Sequence, residues 1–306
     1  MEEQLKNNPL MCDPESGVCE IPGISEEAEK ILPKASEKPL RIIYFTDPIC
    51  SSCWGIEPQL RKLKMEYGEM LEIEYRMGGL LPDWSYNSGG ISKPSDVAAH
   101  WDEVSLYYEM PIDGDVWLED PLDSSYPPSI AFKAAQIQDP EKALLFLRRI
   151  KEMVFLEKKN ISKWKHLLAA ATAVRLDPVK LELDFNGIAR QHFQEDLQLA
   201  RDWNVRGFPT LFFTDAKGNQ EKIYGVKPYA VYEAVIGTLL GGTKAKKINL
   251  DPENLFSFYP SLTRKEFAVI AGISLADAEH ILANLVNEGR IEAMETKNGK
   301  IWCQKN

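Results

Sequence analysis

The sequence contains no long run of apolar residues. Nowhere among its 306 residues does an uninterrupted apolar stretch approach the roughly 18 that a membrane-spanning helix requires. The first six residues, Met1 to Lys6, are mostly acidic or polar and lack the apolar segment of a secretory signal. We therefore expect a cytoplasmic protein that makes no contact with a membrane.

Positive charge is scarce relative to negative charge. Lys and Arg total 36 against 46 Asp and Glu, which gives a formal net charge of -10. A surface with this balance repels phosphate backbones and anionic lipids. We therefore expect no nucleic-acid partner.

Cysteine is rare, with five residues in the chain. So few cysteines in a chain of this length do not form the dense disulfide framework that is typical of small secreted domains. In a reducing compartment, a retained Cys-x-x-Cys pair is more often catalytic than structural. The cysteines that are present are therefore candidates for chemistry.

Two of these cysteines lie where a predicted strand runs into a predicted helix. Residues 42–45 are apolar, β-branched and aromatic, which predicts a buried strand, and residues 54–66 show helical periodicity. Cys50 and Cys53 lie one turn apart at the start of that helix, where open N–H groups and the peptide dipoles favour a thiolate. We therefore expect a reactive Cys50, a resolving Cys53, no metal, and no cofactor other than the disulfide they form.

A Cys-x-x-Cys pair can also be half of a zinc site or a structural pair, and a second pair, Cys12 and Cys19, lies upstream. The wide spacing of the upstream pair and the strand-to-helix setting of Cys50 and Cys53 argue against zinc, but this alternative stays open. Cys12 and Cys19 are either idle thiols in an exposed hairpin or an auxiliary dithiol. An auxiliary dithiol would exchange with the main pair or close its own loop.

A proline stands directly before another predicted strand. Pro209 cannot donate to a sheet, so it must lie at the first residue of a strand or at a sheet edge. Together, residues 40–60 and 205–213 resemble the thioredoxin superfamily, and in particular its DsbA-like (FrnE-like) branch. The resemblance implies a cis bond between Phe208 and Pro209 that faces Cys50 and leaves backbone free to pair with a substrate.

The resemblance also implies an activity, namely thiol–disulfide exchange on protein or small-molecule disulfides by an oxidoreductase or isomerase. Cys50 would be the nucleophile and Cys53 the resolving thiol, while Trp54 would shield the disulfide and contact the substrate with Phe208. Two carboxylates are candidates for a proton relay, because Asp47 lies three residues before Cys50 and Glu57 lies one turn after Cys53. Each carboxylate is equally well interpreted as a helix cap or a surface group.

The whole pattern predicts an α/β, thioredoxin-like fold with a large helical insertion. A leader at 1–38 contains the auxiliary cysteines and a short helix at 25–32. It is followed by a thioredoxin-like domain at 39–83 and 198–242, which is interrupted by an inserted helical domain at 84–197. A C-terminal winged-helix-like domain occupies 250–306. Within the insertion, residues 111–128 are either a mobile rim whose Trp117 grips a substrate or a segment packed on the helices.

The C-terminal unit has two predicted helices joined by a glycine-containing turn and followed by a hairpin, which is typical of a winged helix. Its second helix carries Asp277, Glu279 and Glu288 and no lysine or arginine before Arg290, which suits phosphates poorly. We therefore expect this unit to bind a protein partner or to act as a structural cap. Residues 47–54 read Asp-Pro-x-Cys-x-x-Cys-Trp, a Glu-Pro pair follows at 57–58, and a further unit is appended at the C-terminus. In these features the chain also resembles cytoplasmic adaptors of the SpxH type, which hand a transcription regulator to the ClpXP protease. In that alternative the fold is a docking platform and the thiols are redox or metal sensors.

Overall fold

A four-stranded sheet lies at the centre of the computed structural model, which describes residues 16–20, 38–85 and 93–305. Its strands are β2 (Leu40–Thr46), β3 (Leu71–Met77), β5 (Thr210–Asp215) and β6 (Gln220–Tyr224), in the order β3-β2-β5-β6. The pair β2 and β3 is parallel, and the other two pairs are antiparallel. This mixed sheet fits the α/β, thioredoxin-like fold predicted from the sequence.

The side chains of β2 alternate between two apolar cores, which explains why this strand is apolar along nearly its whole length. Leu40, Ile42 and Tyr44 pack into one core. Ile43 and Phe45 point to the opposite face and pack into the other. The first core is closed by α2 (Glu57–Tyr67) and α10 (Tyr229–Leu239), and the second by the helical insertion.

The helix that carries the cysteines is interrupted after its first turn. A short helix, α1, spans Ser51–Gly55, and Ile56 separates it from α2. Pro58 is the cause, because a proline has no N–H to donate to the preceding turn but is well tolerated in the first turn of a new helix. The interruption leaves Cys50 as the cap of α1.

The described part of the insertion between β3 and the strand before Pro209, residues 93–202, contains seven helices. They are α3 (Pro94–Tyr108), α4 (Val116–Glu119), α5 (Tyr126–Gln138), α6 (Pro140–Phe155), α7 (Trp164–Ala173), α8 (Pro178–Asn186) and α9 (Ile188–Asp202). These helices share one continuous core with Ile43 and Phe45 of the sheet. Within residues 111–128, Trp117 and Leu122 are fully buried, so the packed segment is confirmed and the substrate-gripping rim is wrong.

A two-stranded ladder connects the N-terminal part of the chain to the segment before Pro209. Strand β1 (Cys19–Glu20) pairs antiparallel with β4 (Gly207–Phe208), with Cys19 opposite Phe208. Cys12 and the predicted helix at 25–32 lie outside the described residues. The ladder places Cys19 next to the main cysteine pair, which follows the end of β2.

The C-terminal unit has its own apolar core and its own sheet, in the order β7-β9-β8. Its elements are α11 (Pro252–Phe258), β7 (Ser261–Thr263), α12 (Arg264–Ala271), α13 (Leu275–Asn287), β8 (Ile291–Thr296) and β9 (Gly299–Gln304). The two predicted helices and the hairpin are present, while α11 and β7 were not predicted. Among the residues described, no single helix has the length and apolar character to cross a membrane; α12 and α13, bent by 111°, meet that criterion only as a pair.

A buried ion cluster joins the C-terminal unit to the rest of the protein. The side chain of Glu266 is fully buried, and its carboxylate accepts two hydrogen bonds from Arg148 of α6, at 2.7 and 3.1 Å. Arg61 of α2 lies 3.1 Å from the same carboxylate and also donates to the carbonyl oxygen of Ser261 at 2.6 Å. The carboxylate of Glu266 therefore has partners from both α2 and the insertion.

The tip of the C-terminal hairpin provides a second attachment, on the insertion. Lys297 Nζ lies 2.6 Å from Asp102 and 2.7 Å from Asp115. The side-chain amide of Asn298 donates to Asp102 at 2.7 Å and to the carbonyl oxygen of Ile112 at 2.8 Å. Together with the ion cluster around Glu266, these contacts fix the C-terminal unit at two separate places.

Candidate functional site

The two cysteines of the main pair are fully buried and reduced. Cys50 caps α1, and its sulfur accepts a hydrogen bond from the N–H of Cys53 at 3.2 Å. The bond between Phe208 and Pro209 is cis, as the resemblance implies, and the carbonyl oxygen of Phe208 lies 3.8 Å from the Cys50 sulfur. The structure thus brings Cys50, Cys53 and the Pro209 loop together.

A third sulfur belongs to the same site. The sulfur of Cys19 lies 3.3 Å from the sulfur of Cys50 and 3.6 Å from the hydroxyl oxygen of Ser52. Cys19 is fully buried and disulfide-bonded. The interpretation of Cys19 as an idle thiol in an exposed hairpin is therefore wrong.

The acidity of the main pair differs from the expectation. Burial raises the pKa of the Cys50 thiol well above its ordinary value, and the neighbouring Cys53 adds to the rise. For Cys53, burial acts in the same direction, but a hydrogen bond with Cys50 and the positive charge of Lys151 leave its pKa lowered. The expected thiolate at Cys50 is wrong for this arrangement, because burial outweighs the single backbone donor at the helix start.

Asp47 is a fully buried carboxylate at the end of β2. Its oxygens accept hydrogen bonds from the N–H of Ile49 at 3.0 Å, the N–H of Leu80 at 2.8 Å and the hydroxyl of Ser125 at 2.8 Å. These bonds tie the loop before Cys50 to the insertion. Burial nevertheless raises the pKa of Asp47 to about 6, and its role in a proton relay stays a prediction.

The raised pKa of Asp47 predicts a specific dependence of stability on pH. The folded protein retains this proton between pH 3.8 and about 6, where the unfolded chain has lost it. The contribution of Asp47 is therefore complete below pH 3.8 and is lost as the pH rises through about 6, by about 3 kcal/mol in total. We expect urea unfolding to show the stability of the natural chain, relative to Asp47→Asn, falling across this range. A difference that does not change with pH would contradict the prediction.

Glu57, the second candidate for a proton relay, pairs with a lysine that the sequence analysis missed. Lys151 of α6 has a fully buried side chain and donates to Glu57 at 2.7 Å. Burial acts to raise the pKa of Glu57, but Lys151, Arg148 and Arg61 together leave it lowered. The signal for Lys151 was its position on the apolar face of α6, one residue after Ile150, where a lysine needs a buried partner.

The two residues predicted to contact a substrate are fully buried. The Trp54 ring stacks on Phe155 with centroids 5.4 Å apart, and its N–H donates to the carbonyl oxygen of Pro111 at 3.0 Å. The ring of Phe208 fills the space in which a side chain at Gly78 would lie, so a Cβ at Gly78 would come within 1.7 Å of it. Trp54 and the Phe208 ring therefore present no surface to a substrate in this arrangement, and Phe208 offers only its backbone.

Within residues 16–20, 38–85 and 93–305, no group of three or more His, Cys, Asp or Glu side chains is arranged to hold a metal ion. A cavity of about 640 Å³ lies between α2, α6 and the C-terminal unit. Arg61, Arg148, Tyr259 and Cys303 are among its lining residues. The main cysteine pair does not line this cavity, so it is separate from the site around Cys50.

The sequence matches known proteins over nearly its whole length. The profile of a family described as thioredoxin matches residues 44–234. The ClpXP adapter protein SpxH of Halalkalibacterium halodurans is 32% identical over 301 residues, which cover 96% of this chain and 97% of that protein. The chain belongs to the SpxH family of thioredoxin-fold proteins. The SpxH of Shouchella clausii is 34% identical over 294 residues and covers 95% of each chain.

Among solved structures, the cytosolic disulfide reductase DsbM from Pseudomonas aeruginosa superposes with a TM-score of 0.54 at 22% identity. The alignment covers 98% of DsbM but only 66% of this SpxH-family chain. At this identity the likeness shows the thioredoxin-like fold alone. The family and the fold class predicted from the sequence are thus confirmed, and the SpxH proteins match a larger share of the chain.

Proposed function

We propose that this protein is an adaptor that delivers a protein substrate to the ClpXP protease, with the thioredoxin fold serving as a docking platform. The observation that carries the proposal is the extent of the similarity. Two relatives named as ClpXP adapters match 96% and 95% of the chain, whereas the disulfide reductase matches 66%. A cytoplasmic location and a partner bound through the C-terminal unit are part of this proposal.

The state of the cysteine pair agrees with an adaptor role. Cys50 and Cys53 are fully buried, and the backbone of Phe208, which a substrate would need, is already paired with β1. An enzyme that acts on external disulfides needs its nucleophile within reach of the substrate. In this arrangement the buried pair is poorly placed for turnover of an external disulfide.

The proposal is tested by reconstituted proteolysis. ClpX, ClpP, ATP and the transcription regulator that the SpxH resemblance implies are incubated with and without this protein, and loss of the regulator is followed on gels. Because an adaptor converts the second encounter into an intramolecular one, we expect degradation to accelerate by roughly 100-fold at limiting substrate. Equal rates with and without the protein would overturn the proposal.

A second candidate function is thiol–disulfide exchange on external substrates. It is favoured by the carbonyl oxygen of Phe208 facing the Cys50 sulfur at 3.8 Å beside a cis proline. The variant Cys50→Ser separates the two candidates. An adaptor retains delivery to ClpXP in this variant, whereas an oxidoreductase loses turnover of a model disulfide such as oxidised glutathione.

A further inference from the structure

The segment Ser16–Glu20 lies on the Pro209 loop as an added strand. Cys19 pairs with Phe208 and Glu20 pairs with Gly207 in antiparallel register. The carbonyl oxygen of Gly17 accepts a hydrogen bond from the N–H of Val226 at 2.9 Å. Addition of an extended peptide to an exposed sheet edge is a general mode of peptide recognition. Here the bound peptide is part of the same chain.

Two glycines allow this close approach. Gly17 has a φ of +72°, and a Cβ on it would lie 2.6 Å from the nitrogen of Val226. Gly225 has a φ of +77°, and a Cβ on it would lie 2.3 Å from the carbonyl oxygen of Ser16. Because real Cβ contacts are longer than this, a side chain at either position would displace the segment or shift the Val226 loop.

The docked segment places the Cys19 sulfur close enough to the Cys50 sulfur for the two to react. The distance of 3.3 Å between the sulfurs of Cys19 and Cys50 is within the range of near-attack geometries, about 3–3.5 Å. Cys19 is in a disulfide, while Cys50 and Cys53 are thiols. The site thus holds a dithiol against a disulfide.

We propose that Cys19 is the resident exchange partner of Cys50, so that the protein carries out an intramolecular thiol–disulfide exchange. The Cys50 thiol loses its proton as its sulfur attacks the Cys19 sulfur, which forms a Cys50–Cys19 disulfide and releases the thiol to which Cys19 was bonded. Cys53 then attacks the Cys50 sulfur, and Cys19 leaves. Two electrons pass from the main pair to the Cys19 disulfide, and the two protons of the main pair end on the two released thiols, so no external oxidant is needed.

The exchange goes beyond the adaptor function and does not depend on it. It requires only the purified chain, so its failure can be distinguished from a failure to stimulate ClpXP. An external thiol or disulfide that reaches Cys50 must first displace the segment Ser16–Glu20 from the Pro209 loop. The redox state of Cys19 is therefore coupled to whether Cys50 is accessible to external molecules.

The test uses a variant whose only cysteines are Cys19 and Cys50. Cys12→Ser, Cys53→Ser and Cys303→Ser together leave Cys19 and Cys50 as the remaining cysteines of the chain. The variant is equilibrated with reduced and oxidised glutathione, quenched, digested and analysed by peptide mass spectrometry, which gives the effective concentration of the Cys19–Cys50 disulfide. The same variant in urea gives the effective concentration in the unfolded chain. We expect the effective concentration in the folded protein to be higher by roughly 100-fold or more, because flexible tethers reach only millimolar effective concentrations.

A matched pair of glycine variants tests whether docking causes the effect. Gly17→Ala is added to the two-cysteine variant, and Gly289→Ala, which has the same φ of +72° and nothing within 4 Å of its added Cβ, serves as the control. We expect Gly17→Ala to lower the folded value at least about tenfold and Gly289→Ala to leave it unchanged. Circular dichroism checks folding, and alanine replaces serine at the three deleted cysteines if the serine set is unfolded. A folded value equal to the urea value, or one insensitive to Gly17→Ala, overturns the proposal.

Discussion

Replacing Glu266 by alanine is expected to lower the free energy of unfolding by about 3–5 kcal/mol, measured by urea unfolding. The substitution leaves the guanidinium groups of Arg61 and Arg148 without their shared partner, at side-chain exposures of only 8% and 12%. It also removes the acceptor for the N–H of Thr263, which Glu266 binds at 2.7 Å at the start of α12. Arg148 keeps Glu152 at 2.7 Å, but the cluster loses one buried negative charge, and the surrounding protein cannot solvate the excess positive charge as water would.

The control for this prediction is Glu279→Ala in the same unit. Glu279 lies 3.8 Å from Arg264, and both side chains are about 40% exposed. A surface pair of this kind contributes only about 0–1 kcal/mol, since water and salt screen it. Equal losses in the two variants would show that the buried cluster around Glu266 has no special role in stability.

The second large effect is expected at Trp54, where alanine should lower the free energy of unfolding by about 3–5 kcal/mol. The ring is fully buried and stacks on Phe155, and the guanidinium carbon of Arg148 lies 4.4 Å from its centroid. Alanine would leave a cavity next to Cys53 and remove the aromatic ring that the Arg148 guanidinium contacts. Urea unfolding followed by circular dichroism measures the loss.

A graded substitution separates the contributions at Trp54. Trp54→Phe retains an aromatic ring against Phe155 but removes the N–H that donates to Pro111 at 3.0 Å. The expected loss is about 1–3 kcal/mol, which is the cost of leaving a buried acceptor without its donor. If Trp54→Phe and Trp54→Ala destabilise equally, the hydrogen bond dominates and the packing argument is wrong.

The main elements were predictable because their signals are local. The apolar run at residues 42–45 predicts β2, and Pro140, as a first helical residue, predicts the start of α6 where it begins. Boundaries are less accurate, since the sequence predicts a helix over 129–138 whereas α5 spans Tyr126–Gln138. Pro127 and Pro128 are compatible with a first helical turn, so the helix extends further toward its N-terminus.

The missed features depend on contacts between distant parts of the chain. The contact of Lys151 with Glu57 spans 94 residues, and that of Cys50 with Cys19 spans 31. No local pattern reports either contact. The pKa of Cys50 was misjudged for the same reason, because the helix start is visible in the sequence whereas the segment that buries the thiol is placed by tertiary structure. Residues 261–263 form a strand of only three residues, too short for an alternating pattern to show.

The strand order of the C-terminal sheet bears on how the protein withstands a pulling force. β9 is the last described strand and lies between β7 and β8, so it forms ladders on both sides. Tension applied beyond Gln304 would have to break both ladders to release β9. In the adaptor function proposed above, this attachment would protect the protein from being threaded itself, because forced unfolding follows the rate at which such a strand detaches.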